Sequence, residues 1–344
     1  MYAVDLLPSI EGVTAGEWDA LAGDVPFAGH RWLRLAEATL ADHRPRYLLL
    51  RRDGRLVAAA VCSIERRLQN TALDARFGRL TRWRPFLHVA LPLTATPGLL
   101  GSDLFGEIHA LVRRERLLFC IVDHLPSGGA VPPGFVRMAW LPDTRLDLRW
   151  ASFDDYLAWL PGRRRREIGR TQRRAVREGI VVLPLAPDTP ALDRLVADVT
   201  RRHGGTRHFR PGLFATAASA LGSDFTLLGA LLDGEPVGCV ALLRSGDDLA
   251  VRWLGRDYAR TAGTSVYHAI LTACVRHAIA SGARRLSFGA AAYETKKQLG
   301  VALEPRIRLF AARSAAVTRL MGRFSHRFDP PQLPERNTAC ISHP

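Results

Sequence analysis

The sequence predicts a mixed α/β fold of two tandem domains, each a twisted mixed sheet flanked by helices. Three observations predict it. Two Asp-Gly dipeptides, Asp53-Gly54 and Asp233-Gly234, stand 180 positions apart, each between apolar β-prone runs. Downstream of each come a helix-patterned segment and then another apolar strand. The chain has 344 residues and 47% hydrophobic content, enough to bury two cores of ordinary size.

In the first half, Tyr47–Val61 reads as strand, tight turn, strand, because Asp-Gly tolerates the positive φ of a type I′ turn. Leu104–Arg114 then reads as helix and Leu117–Val122 as strand. The junction falls near Asp147–Phe153, which predicts domains at 1–147 and 148–320. The segment from the Asp154 region to Gly179 reads as helix, broken at Pro161-Gly162. Phe225–Val240 is the second hairpin, and Gly246-Asp247-Asp248 turns the chain into the strand Leu249–Trp253. Thr264–Ala280 reads as helix, with Val266, Ala269, Ile270, Ala273 and Ala280 on its apolar face and Ser281-Gly282 ending it. Arg285–Phe288 is the last strand of the pattern. Beyond Met321, Pro330-Pro331 and weak patterning predict a mobile tail over 321–344.

Charge narrows the function. The formal net charge is +15, which favours polyanionic partners, although arginine bias alone raises it. Residues 163 to 177 hold eight arginines and one acid, Glu167, a net +7. On a helix Arg166 and Arg170, Arg170 and Arg174, and Arg173 and Arg177 are four-apart neighbours, each pair costing about 0.2–0.5 kcal/mol. A multivalent anion is the natural partner; a solvated helix in an arginine-rich chain is the plain alternative. Arg201 to Arg210 form a second basic cluster, readable as an acceptor or phosphate loop through Arg201, His203 and Arg207, or as a solvated loop. Its two histidines, five apart and without carboxylates or cysteines nearby, do not suit a metal.

Five cysteines, Cys62, Cys120, Cys239, Cys274 and Cys340, are odd in number and far apart. Four lie in apolar contexts and read as small core residues, which fits a reducing, cytoplasmic location. The first residues lack a basic and an apolar region, so no secretion signal is expected. The apolar run Phe86–Gly101 is short and interrupted by Pro92 and Pro97, so it does not span a bilayer. Gly-x-Ser-x-Gly, Walker and Gly-x-Gly-x-x-Gly patterns are missing, which argues against lipases, ATPases and dinucleotide enzymes.

The order hairpin, strand, turn, helix, strand is accompanied by further markers. These are Phe135 with Leu146-Asp147-Leu148, the segment Phe153–Leu160, the basic run Arg163–Arg177, and Gly289, Tyr293 and Lys296-Lys297-Gln298-Leu299-Gly300. Together they resemble the GNAT acyltransferase fold, in the tandem arrangement of Fem-type acyltransferases, over roughly residues 10 to 315. The resemblance implies an N-acyltransferase that passes an acyl or aminoacyl group to an amine, without a permanently bound cofactor.

It also implies site residues. In GNAT enzymes a loop Arg/Gln-x-x-Gly-x-Gly/Ala cradles the coenzyme A pyrophosphate. Arg260, Gly263, Thr264 and Ser265 fall on that loop here, with Ser265 departing from the pattern. A small-residue turn baring N–H groups at a helix N-terminus suits an anion; the same residues also suit an ordinary N-cap. Tyr293 and Lys296 fall on the Fem-type acyl-transfer segment, with Leu299 replacing its aromatic and Tyr293 three positions before the lysine instead of adjacent. Lys296 and Lys297 are the only lysines of the chain. A fixed ammonium that stabilises a tetrahedral oxyanion contributes about 3–4 kcal/mol; a surface turn is the plain reading. Asp257 is the nearest candidate base. Two donors suit the chain. Aminoacyl-tRNA, the favoured one, would be met by Arg163, Arg166, Arg170, Arg173, Arg174 and Arg177. An acyl-coenzyme A would use the Arg260–Ser265 loop. The acceptor is a small amine or a peptidoglycan precursor, the latter without the coiled-coil arm that cell-wall Fem enzymes carry. A non-catalytic binder of nucleic acid or an anionic surface is the competing class.

Overall fold

A computed structural model describes residues 2–68, 71–101, 103–203 and 209–330, and the chain divides into two compact units. Up to residue 147 it forms β1 (Tyr2–Leu7), α1 (Ala15–Ala22), α2 (His30–Thr39), β2 (Pro45–Arg52), β3 (Arg55–Glu65), α3 (Thr71–Trp83), β4 (Phe86–Val89), β5 (Leu99–Gly101), α4 (Phe105–Arg114), β6 (Phe119–Pro126) and β7 (Val136–Asp147). Then follow α5 (Phe153–Trp159), α6 (Gly162–Arg177), β8 (Val181–Pro184), α7 (Leu192–His203), α8 (Leu213–Leu221), β9 (Phe225–Leu232), β10 (Glu235–Ser245) and β11 (Asp248–Arg256). Last come α9 (Val266–Ala280), β12 (Arg285–Ser287), α10 (Tyr293–Lys297), β13 (Ala302–Ala312) and α11 (Ala315–Arg323).

The two units repeat one strand order. In the first it is β1-β2-β3-β4-β6; in the second it is β8-β9-β10-β11-β12, the same succession in chain order. Both sheets are antiparallel except for one parallel pair, β4 with β6 and β11 with β12. A parallel pair needs a crossover, and α4 and α9 supply it. Both Asp-Gly turns carry positive φ at both central residues, 50° and 80° at Asp53-Gly54 and 53° and 79° at Asp233-Gly234. That is the type I′ geometry whose twist matches the flanking strands.

Each unit is completed by a strand from the other half of the sequence. β13 pairs antiparallel with β6 through Leu309↔Val122 and Phe310↔Ile121 in the first unit. Arg145–Asp147 of β7 pair with β12 in the second. A cut of the chain at residue 147 therefore differs from the compact units, in which Asp143–Asp147 belong to the second and Pro305–Ala312 to the first. Alternation identifies a strand but not its partner. The tail expected from residue 321 begins inside α11, a short 3-10 turn follows at Ser325–Phe328, and 331–344 lie outside the described residues.

In the second unit α9 is the central element of the core. Val266, Ile270, Leu271, Cys274, Val275, Ala278 and Ile279 are buried on it. The apolar face expected from the sequence is corrected here: Ala269 and Ala273 are only half-buried and Ala280 is exposed. The helix is apolar nearly all round because it packs against β9 and β10 on one side and α5 and α6 on the other. Four cysteines, 62, 120, 239 and 274, are buried free thiols as expected, while Cys340 lies outside the described residues. Burial pushes the Cys120 and Cys239 thiols up to about 12, which makes them inert core residues.

The first unit buries one charged network. Asp123, fully buried, accepts from Arg308 Nη2 at 2.7 Å and is 2.8 Å from His88 Nε2. Arg308 lies 3.4 Å over the Trp140 ring. Burial alone would raise the Asp123 pKa; Arg308 and His88 outweigh it and hold the carboxyl well below its usual range.

Candidate active site

The second unit gathers most of the functional residues expected from the sequence. Their arrangement starts with α6. Ser152 caps α5 by accepting from the Asp155 N–H at 3.1 Å, and Leu160-Pro161 ends that helix where the proline break was expected. α6 then runs from Gly162, and its eight arginines separate by face. At about 100° per residue, Arg163, Arg166, Arg170, Arg173, Arg174 and Arg177 fall within an arc of about 100°. All six are exposed, and the opposite side buries Ile168 and Ala175. Glu167 pairs with Arg170 at 3.0 Å and Glu178 with Arg174 at 2.7 Å. Among the described residues no carboxylate pairs with Arg163, Arg166, Arg173 or Arg177.

The loop from Asp257 to Ser265 joins β11 to α9. Gly263 takes φ 71°, the left-handed value that favours glycine. Four of the loop's N–H groups donate within the loop. Asp257 Oδ1 accepts from the Ala259 and Arg260 N–H groups at 3.1 Å each, and its Oδ2 accepts from Arg194 at 3.1 Å. The Thr261 and Thr264 N–H groups donate to carbonyls of the same loop. Arg260 is exposed and makes only a long 3.4 Å contact with the Leu232 carbonyl. The Ser265 N–H donates to Glu178 Oε2 at 2.8 Å.

The N-cap expectation is corrected at this loop. Ser265 stands at the N-cap position, but its side chain caps no N–H of α9, and the Thr264 hydroxyl donates back to Thr261. Negative charge reaches the helix start from Glu178 instead. Asp257 is the acid that folds the turn. Burial would raise its pKa, but the Arg260 N–H and Arg194 outweigh that and lower it. Both of its oxygens are engaged in holding the turn.

Lys296 lies on α10 and is almost wholly buried. Its Nζ donates to three successive carbonyls, Phe288 at 2.8 Å, Gly289 at 2.9 Å and Ala290 at 3.1 Å. Lys296, expected as an oxyanion donor, is here hydrogen-bonded to the loop after β12. That loop is unusual in its backbone, with positive φ at Gly289 (72°), Ala291 (68°) and Ala292 (50°). Two alanines in the left-handed region cost energy that surrounding contacts must offset. Lys296 is one such contact, and Thr144 Oγ1, donating to the Gly289 carbonyl at 2.5 Å, is another. Asp143 sits beside them, accepting from Ser287 Oγ at 2.9 Å. Tyr293 is buried at the start of α10, and burial pushes its hydroxyl up to about 12. Lys297 pairs with exposed Glu294 at 2.8 Å.

Burial pushes the Lys296 ammonium from 10.5 down to about 7, with Asp143 opposing and Arg252 adding to the shift. Between about pH 7 and 10.5 the unfolded chain thus binds a proton that the folded chain has released. Stability from this residue is flat below that window and rises with pH across it. The urea midpoint of the wild type is expected to climb from pH 7 to pH 10 relative to that of Lys296→Met. Parallel curves for the two proteins would contradict the shift.

The second basic cluster begins inside a helix, and residues 204–208 of it lie outside the described residues. Arg201 and His203 sit in the last turn of α7, Arg201 paired with Asp198 and His203 Nε2 2.7 Å from the Tyr258 hydroxyl. Arg207 lies outside the described residues. A shallow pocket is lined by Ile168, Thr171, His268, Leu271, Thr295 and Gln298, linking α6, α9 and α10. Burial, then Arg256, lowers the His268 pKa. Sequence reasoning missed Asp143, Glu178 and His268. Only Glu178 had a local signal, its four-residue spacing from Arg174.

Residues 162–297 match the acetyltransferase (GNAT) domain family. None of the curated proteins matches the sequence. Among solved structures, FemX is similar at 12% identity and a TM-score of 0.58, covering 92% of this chain and all of that one. L-PGS from Bacillus licheniformis is similar at 13% identity and a TM-score of 0.53, covering 90% of this chain and 98% of that one. A tandem GNAT protein from the clavulanic acid biosynthesis pathway is similar at 16% identity and a TM-score of 0.51, covering 91% and 99%. Among the described residues no helix is long and apolar enough to cross a membrane. Residues 162–297 thus match the acetyltransferase (GNAT) domain family, and the fold of the chain is similar to that of FemX and of a tandem GNAT protein.

Proposed function

We propose that this acyltransferase moves an aminoacyl group from aminoacyl-tRNA to the amine of a small acceptor. The observation that carries the reading is the single-sided arginine stripe of α6. Six exposed guanidiniums lie along a helix of 16 residues, about 24 Å long. Four of them have no carboxylate partner among the described residues. A solvated helix gains nothing from placing six like charges on one face, whereas a phosphate backbone turns that repulsion into attraction. Lys296 and Thr144 act by holding the Phe288–Ala292 loop, and Tyr293 and Asp143 border it. The acyl-coenzyme A reading is favoured by the match to an acetyltransferase domain family, and it is opposed by a donor loop whose Ala259, Arg260, Thr261, Thr264 and Ser265 N–H groups are already occupied.

The test is direct. Purified protein is titrated with a charged tRNA pool and, separately, with acetyl-coenzyme A, and transfer to a panel of small amines is followed by mass spectrometry. Charged tRNA is expected to bind with an affinity that falls steeply with salt and to be deacylated in an amine-dependent manner. Transfer from acetyl-coenzyme A with no response to tRNA would overturn the reading.

A further inference from the structure

The start of α9 already holds an anion, and the chain itself supplies it. Glu178 follows the last residue of α6 and reaches across to this helix start. Its Oε2 accepts from the Ser265 N–H at 2.8 Å, and its Oε1 accepts from Arg174 Nε at 2.7 Å. Arg174 also donates to the Gly263 carbonyl, so it holds the loop and the carboxylate together. Ser265 is buried, and the Glu178 side chain is 22% exposed.

The position of Glu178 is not explained by its own helix. At the C-terminus of α6 a carboxylate faces the negative end of the helix dipole, and the order Arg174 then Glu178 is the weaker orientation of a four-apart pair. The compensation lies at α9, whose positive end is where a phosphate would bind. Burial alone would raise the Glu178 pKa, but the Ser265 N–H and Arg174 outweigh it and lower it, so the carboxylate is a lasting charge at neutral pH. Asp257 takes the Ala259 and Arg260 N–H groups in the same way.

We infer that Glu178 is a donor-specificity residue: its carboxylate occupies the anion position at the start of α9 and excludes a pyrophosphate-bearing donor such as a coenzyme A thioester. A pyrophosphate entering there meets a like charge and must displace Glu178 from both Ser265 and Arg174. A donor carried by a nucleic acid that binds along the arginine stripe need not enter this position. The inference thus deepens the aminoacyl-tRNA reading and rests on it for its meaning, but its measurement is separate.

The experiment titrates coenzyme A into the wild type, Glu178→Ala and Glu178→Gln by calorimetry, with circular dichroism as the fold control. The wild type is expected to show no saturable binding at millimolar coenzyme A, and Glu178→Ala to gain about tenfold or more in affinity. Glu178→Gln keeps an oxygen for the Ser265 N–H but loses the charge; it is expected to gain less than the alanine variant, and it answers the question if that variant fails to fold. Wild-type binding as tight as that of the variants would overturn the inference, as would folded variants that gain nothing. The same proteins titrated with charged tRNA separate the two failures. Loss of the tRNA response in the wild type removes the donor reading, while a coenzyme A gain in the variants still upholds Glu178 as the excluding group.

Discussion

Lys296→Met is expected to lower kcat for acyl transfer by about 10²-fold or more while leaving donor binding within a few-fold of the wild type. Methionine keeps the apolar volume of the buried stem, so the core around α10 stays filled. What disappears is the ammonium that ties the Phe288, Gly289 and Ala290 carbonyls together. Each buried carbonyl left without a donor costs about 1–3 kcal/mol, unless the segment moves to find water. Ala290 and Ala292 are already exposed, and Ala291 and Ala292 are held in a strained conformation, so movement is the easier outcome. A shift of about 1 Å in a positioning loop is enough for a loss of that size. The global fold need not suffer, because removing a buried charge also removes its desolvation penalty. Lys297→Met is the matched control. That ammonium pairs only with exposed Glu294, and its loss is expected to change kcat by less than about threefold. Steady-state kinetics on both variants decide the matter: a Lys296→Met enzyme with wild-type kcat would show that the loop needs no ammonium.

The second large effect concerns α6. Replacing Arg166, Arg170 and Arg173 together by alanine is expected to weaken charged-tRNA binding by about 10²–10³-fold at 50 mM salt and to reduce the slope of log K against log salt by about three. Stability should move the other way or not at all. All three four-apart arginine pairs disappear, each worth about 0.2–0.5 kcal/mol of repulsion, and alanine is the better helix former. Arg174 is left in place because it also holds Glu178 and the Gly263 carbonyl. Filter binding across a salt series, with thermal unfolding alongside, separates the outcomes. Unchanged tRNA affinity in a folded triple variant would leave the stripe as a solvated face.

Several elements were legible because their signals are local. The two type I′ turns follow from Asp-Gly alone, since only a residue pair tolerant of positive φ closes a two-residue loop. The break between α5 and α6 follows from Pro161. The buried thiols follow from their apolar neighbours. The arginine stripe was legible as charge at helical spacing, and its exposure agrees with that reading.

The remaining features depend on partners distant in sequence. β13 reads as an apolar strand, but its pairing with β6 across roughly 185 positions is a tertiary choice. The α9 face was misjudged because a helix enclosed on several sides is apolar all round, and periodicity then no longer points to one buried side. Lys296 was recognisable as a distinctive residue but not as one whose three donors are consumed, since carbonyl directions follow from the loop's φ angles. Glu178 illustrates the division most clearly. The sequence by itself determined that an acid follows the arginine helix by four residues from Arg174. Only the tertiary structure decided that the acid faces the N–H groups of another helix, because a hydrogen bond between residues 178 and 265 depends on how α6 packs against α9 and leaves no periodic trace along the chain.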